Sequence, residues 1–225
     1  MAVKELELKI PTSYGDITLK KWLELQGQIK NYEDEPEAVT AIMLYHLCGL
    51  EPKYLNALSV EDYNTIRTEL ESFIGITELP LQKIIKIGDV EYGFEPNLST
   101  MTYGAYVDIM KYKELKIDEN WPNIMSILYR PVTQKKGDSY LIKTYTGEQD
   151  RDKFLNIGMD VHFGALFFFV NLLMDLLNDT LKSTMEQDMN LNIKQILQRS
   201  GGLIPQSLSS LAEMLQSSTK LPSNL

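Results

Sequence analysis

Two histidines, one cysteine and a few clustered carboxylates are the side chains with which this chain could do chemistry. His46 sits between Tyr45 and Leu47 and His162 beside Phe163, both in apolar stretches. Those settings predict partly buried rings with satisfied nitrogens, not proton shuttles or metal ligands. Cys48 lies only two residues from His46, which turns the pair to different sides of a helix. Its neighbours Leu47, Gly49 and Leu50 predict a small buried hydrophobe, because an activated thiol needs a more basic setting. Glu33, Asp34, Glu35 and Glu37 surround Pro36 just ahead of an apolar run. They read as the first turn of a helix, where carboxylates offset the dipole, since the alternating oxygen ligands and turn glycine of a calcium loop are missing. Asp150-Arg151-Asp152-Lys153 reads likewise as a solvated first turn. Gly201-Gly202 is not followed by the lysine of a phosphate loop, and no G-x-S-x-G stretch occurs. The sequence therefore predicts no catalytic residue, no cofactor and no metal site.

The elements that would hold these residues follow from periodicity and punctuation. Residues 5–10 alternate polar and apolar and stop at Pro11, which predicts a strand. Thr18 caps a helix over 19–31 with Leu19, Trp22, Leu23 and Ile29 on one side; Pro36 opens a second over 38–47; and Ser59 with Asp62 starts a third that runs to Ile74. Residues 83–87 and 90–94 about Gly88-Asp89 predict a hairpin. Thr100 or Thr102 then begins a helix to Lys113, and another spans 121–129 and ends at Pro131. A second hairpin joins 132–135 to 139–145, and helices resume at Glu148. The longest helix, 161–185, is apolar except for Asn171, Asp175, Asn178 and Lys182, which predicts burial on most sides and a substantial loss on Phe168→Ala.

Net charge is −9 with 44% apolar residues, so the chain can bury a core while its field opposes nucleic-acid phosphates and anionic lipid. The apolar run 161–170 is too short to span a bilayer, and residues 1–10 do not resemble a signal peptide. With one cysteine, a reducing compartment fits. What remains is recognition of proteins. Tyr92, Tyr103 and Tyr140 are candidate contact residues, because tyrosine provides area and a polar handle at little entropic cost. Leu208, Leu211, Met214 and Leu215 recur at helical spacing in a Ser- and Gln-rich tail and are candidates to fold against a partner.

Shifting the chain by 84 residues aligns residues 14–47 with 98–131 without a gap; Thr18/Thr102, Asp34/Asp118, Glu35/Glu119, Leu44/Leu128 and Tyr45/Tyr129 are identical, and Trp22/Tyr106 keep aromatic character. The expected fold is accordingly mainly α, within the α+β class, with two short hairpins and an internal duplication of a β-α-α-insert-α unit. Residues 1–78 form the first copy, 79–199 the second, packed with it as one body, and 200–225 a flexible or partner-binding tail.

Three segments carry a resemblance. Ile10-Pro11-Thr12-Ser13-Tyr14-Gly15-Asp16-Ile17-Thr18-Leu19, Asn123-Ile124-Met125-Ser126-Ile127-Leu128-Tyr129-Arg130-Pro131, and residues 159–171 with Gly164-Ala165-Leu166-Phe167-Phe168-Phe169 resemble tailed-bacteriophage tail morphogenesis proteins of the tail assembly chaperone or baseplate hub assembly type. The likeness runs over roughly residues 5–180 in pattern and order. It implies a non-enzymatic protein that binds other tail, baseplate or ring subunits, or itself, in the host cytoplasm during assembly or in the virion. A ring or neck component of the particle has the same composition, and a bacterial enzyme with an unrecognised site is the reading from another class. No site residue carries over.

Overall fold

Threonine caps, prolines and glycine turns set most of the element boundaries. The computed structural model describes residues 8–32, 34–74, 79–112 and 117–186, with side chains as far as residue 172. Within these residues the fold is α+β, with eight α-helices and one four-stranded antiparallel sheet. The chain divides into two compact units.

The first unit takes the described residues up to 74 together with Leu155–Asp160. A 3-10 turn at Tyr14–Asp16 leads into α1 (Leu19–Ile29), capped by the Thr18 hydroxyl, which accepts from the Lys21 N–H at 3.3 Å. Its neighbour α2 (Pro36–Cys48) has proline in the first turn and stops where Gly49 turns left-handed at φ 74°. The one-turn α3 (Pro52–Leu55) was not anticipated; four residues are too few to show a period. In α4 (Val60–Ile74) the Asp62 N–H donates to Ser59 Oγ, as the capping signal predicted. Tyr14 joins the pieces: its ring meets Trp22 and Phe73 edge-on, and its hydroxyl donates to the Ile74 carbonyl at 2.8 Å. Residues 157–159 border the 3-10 turn, with the Met159 N–H donating to the Ile17 carbonyl and Leu19 N–H to that of Ile157.

The second unit holds the sheet. Strands β1 (Ile84–Ile87), β2 (Val90–Phe94), β3 (Tyr129–Lys136) and β4 (Ser139–Ile142) pair in sequence order, so the two predicted hairpins form one sheet through the β2–β3 pairing. Gly88 and Gly137 supply the left-handed turn residues at φ 60° and 59°. Between the hairpins lie α5 (Tyr103–Met110) and α6 (Trp121–Leu128); α7 (Arg151–Leu155) and α8 (Met159–Glu186) follow. Gly93 in β2 allows a close approach, since a Cβ there would lie 2.5 Å from the ring of Tyr140.

Four expectations need correction. Residues 8–10 are not a strand, and residues 5–7 lie outside the described region. Pro131 does not merely end α6: it pairs with Tyr92 inside β3, which starts at Tyr129, three residues early, because a residue preceding proline is driven into extended backbone. Helix resumes at Arg151 and not at Glu148. Seven of the eight α6 residues are buried, whereas the expected burial of 161–185 lies partly outside the residues whose side chains are described. Along α8 residues 161–166 are buried but 167–170 only half so, which reduces the loss expected on Phe168→Ala. The two aligned segments share a 3-10 turn, a threonine cap and two helices, then diverge: α2 passes into α3, whereas α6 passes into β3. Duplication is not confirmed by this order.

Candidate functional site

The groups best suited to chemistry are the two histidines and the cysteine. His162 is fully buried; Trp121 Nε1–H donates to its Nδ1 at 3.1 Å, and its Nε2 lies 3.1 Å from the Phe154 carbonyl. A carbonyl only accepts and Nδ1 is already accepting, so the ring is the neutral Nε2–H tautomer. Burial pulls its pKa down to about 4, against the smaller upward pull of that carbonyl. His162 is thus a structural pin, as its sequence setting predicts.

His46 departs from expectation. Its Nε2 is buried without a hydrogen-bond partner, and burial lowers its pKa. It borders a cleft of about 440 Å³ in the first unit that Lys21, Glu24 and Cys48 also line. The Cys48 thiol is buried and pushed up to about 11, so it stays protonated and is a poor nucleophile. In the second unit a cleft of about 430 Å³ presents Arg130, Lys143, Arg151 and Lys153 beside Glu148, Asp150 and Asp152. Four cations against three carboxylates leave it little net charge for an ionic ligand. Arg130 is itself paired through Nη2 with Glu95, both nearly buried, and its Nε has no partner. Among the described residues no three His, Cys, Asp or Glu side chains are placed to hold a metal, and no helix is long and apolar enough to cross a membrane.

The predicted contact residues separate. Tyr92 is buried, packed edge-on against Phe154, so its ring is used internally. Tyr140 is half-buried; it covers Gly93, and its hydroxyl donates to the Phe94 carbonyl at 2.8 Å, which makes it a cross-strand brace. Tyr103 is 81% exposed at the first position of α5. Leu208, Leu211, Met214 and Leu215 lie outside the described residues.

Around Tyr103 the structure assembles a surface. Six of the eight α5 residues are apolar or aromatic, yet only Ala105 is buried; Tyr106 is exposed, and Val107, Ile109 and Met110 are half-exposed. The one carboxylate of the helix, Asp108, gathers its side-chain hydrogen bonds. Asp108 accepts from Tyr145 Oη at 2.6 Å and pairs with Lys111, and Gln149 extends the chain by donating to Tyr145 and accepting from Tyr112. The Lys111 and Tyr145 hydrogen bonds, in that order, hold the Asp108 carboxyl below its usual range.

The sequence alignment shows what is unusual here. Leu19, Trp22 and Leu25 of α1 correspond to Tyr103, Tyr106 and Ile109 of α5, and all three α1 residues are at most 4% exposed. The aligned positions are core in α1, whereas in α5 Tyr103 and Tyr106 are exposed and Ile109 is half-exposed. Sequence reading singled out Tyr103; the structure leaves it exposed together with Tyr106, the residue aligned with Trp22. Compared with protein-family models, curated proteins and solved structures, the chain finds no match in any of the three.

Proposed function

We propose that this chain is a non-enzymatic bacteriophage protein of tail or baseplate morphogenesis that works by binding other structural subunits of the particle. The observation that carries the reading is the α5 face on which Tyr103 and Tyr106 are exposed and Ile109 half-exposed, on a helix that is apolar on several sides, a pattern that ordinarily requires burial. Tyrosines on a rigid helix suit a protein contact, since they bury large area with few rotamers to lose. The buried protonated thiol of Cys48 and the pinned ring of His162 support a binding role over a catalytic one. The acidic chain favours basic or aggregation-prone subunits and disfavours nucleic acid and anionic membranes.

The phage setting comes from the sequence resemblance. Its three segments form the 3-10 turn and cap of α1, the α6–β3 junction and the start of α8, and each contributes buried residues, among them Tyr14, Ile17, Ile124, Tyr129 and Phe163. The common order of turn, threonine cap and two helices supports reading residues 14–47 and 98–131 as copies of one unit. In that reading the second copy keeps its α5 face for a partner, in the host cytoplasm or in the virion.

Capture from infected cells by the tagged full chain, read by mass spectrometry, tests the proposal. Tail, baseplate or ring subunits should be enriched, and enrichment should fall with Tyr103→Asp. A melting temperature raised by a small metabolite or metal, with no phage subunit captured, would overturn it.

A further inference from the structure

The second unit carries an apolar groove of about 700 Å³ that the α5 reading leaves unused. Its base is the ring of Phe94 on β2, which meets Phe168 of α8 edge-on at 5.4 Å. Leu81, Leu98 and Leu172 extend the apolar lining, and Lys83, Glu95 and Asp138 add polar groups. Phe168, Leu172, Leu81 and Leu98 are only half-buried, so the groove offers the surface an amphipathic helix needs.

We propose that this groove receives residues 208–215 of the same chain as a short helix, with Leu208, Leu211 and Leu215 turned into it. Leu172, on its wall, belongs to the helix that leads to the tail. From Leu172 to Glu186 that helix advances about 21 Å. The 22 residues from Glu186 to Leu208 can span about 70 Å when extended, so the tail reaches back with slack. That stretch contains Gly201, Gly202 and Pro205, residue types that disfavour helix and suit turns. Eight helical residues are about 12 Å long and present one apolar face. The segment is too short to be helical alone, so the groove must supply its stability. Tethering favours this occupant over any free one, because a connection of 22 residues raises the effective concentration of the tail far above that of a separate molecule.

Disulfide trapping in the full chain tests the assignment. In a Cys48→Ala background, Ser99→Cys on the groove wall is combined with Ser207→Cys or Ala212→Cys, which flank the apolar stripe. Mild oxidation should give a cross-link within one chain, its rate independent of protein concentration. Adding Leu211→Asp should slow it about ten-fold or more, since at least one buried leucine is lost. Leu98→Asp in the groove should have the same effect while the melting temperature stays near that of the parent. Cross-linking at the same rate with and without Leu211→Asp would overturn the proposal. So would a cross-link that joins two chains, which would assign the groove to a neighbouring copy.

Discussion

Helices α1 and α5 begin the same way and end in opposite environments. Each is capped by a threonine hydroxyl that accepts from a backbone N–H three residues on, at 3.3 Å in both. In α1 the face of Leu19, Trp22 and Leu25 closes over a core that includes Tyr14; in α5 the corresponding Tyr103 and Tyr106 stand in solvent. The difference teaches that a cap and an apolar stripe specify a helix without specifying what covers it. α1 buries that face, while α5 buries Ala105 and adds side-chain hydrogen bonds through Asp108, Tyr145 and Gln149.

The largest effect should come from the buried side. Trp22→Ala should cost about 3–5 kcal/mol in urea unfolding, because a large ring leaves a cavity, whereas the aligned Tyr106→Ala should cost under about 1 kcal/mol. Equal losses would break the comparison.

The second unit must be folded about its own core for the open face of α5 to mean anything, and pH tests that. His162 is neutral in the fold, with a pKa near 4, while the unfolded chain takes up the proton from about 6.5 downward. Between those values the unfolded state binds more protons, so stability falls as pH drops, by about 3 kcal/mol in total. Unfolding at pH 7 and pH 5 should show a steeper fall for the parent than for His162→Gln. Equal slopes would mean that the ring is not pinned by Trp121.

Smaller and symmetrical effects should come from the caps. Thr18→Ala and Thr102→Ala should each cost about 1 kcal/mol, read as a drop in melting temperature. An effect at Thr18 alone would mean that α5 depends on its cap less than α1 does.

Much of this fold was legible in the sequence where local chemistry decides. Threonine, serine and proline marked the starts of α1, α2, α4 and α5, and Gly88 and Gly137 marked the hairpin turns. Tertiary facts were not legible. Nothing local distinguishes Tyr45, which is exposed, from the aligned Tyr129, which is buried with its hydroxyl on the Gln82 carbonyl. The Pro131 pairing with Tyr92 depends on a strand some forty residues away in sequence. At the candidate surface, residue type indicated Tyr103, but Tyr92 and Tyr140 have the same type and are consumed by internal packing; only the three-dimensional arrangement separates them.

The central claim, that α5 presents a binding face, is tested most directly by comparing Tyr103→Asp/Tyr106→Asp with the parent chain in capture from infected cells. Both residues are exposed, so the melting temperature should change by less than about 4 °C. Enrichment of the phage subunit captured by the parent should fall about ten-fold or more, the loss expected when two central aromatic contacts are removed. Undiminished capture by a normally folded double variant would contradict the account and place the binding face elsewhere.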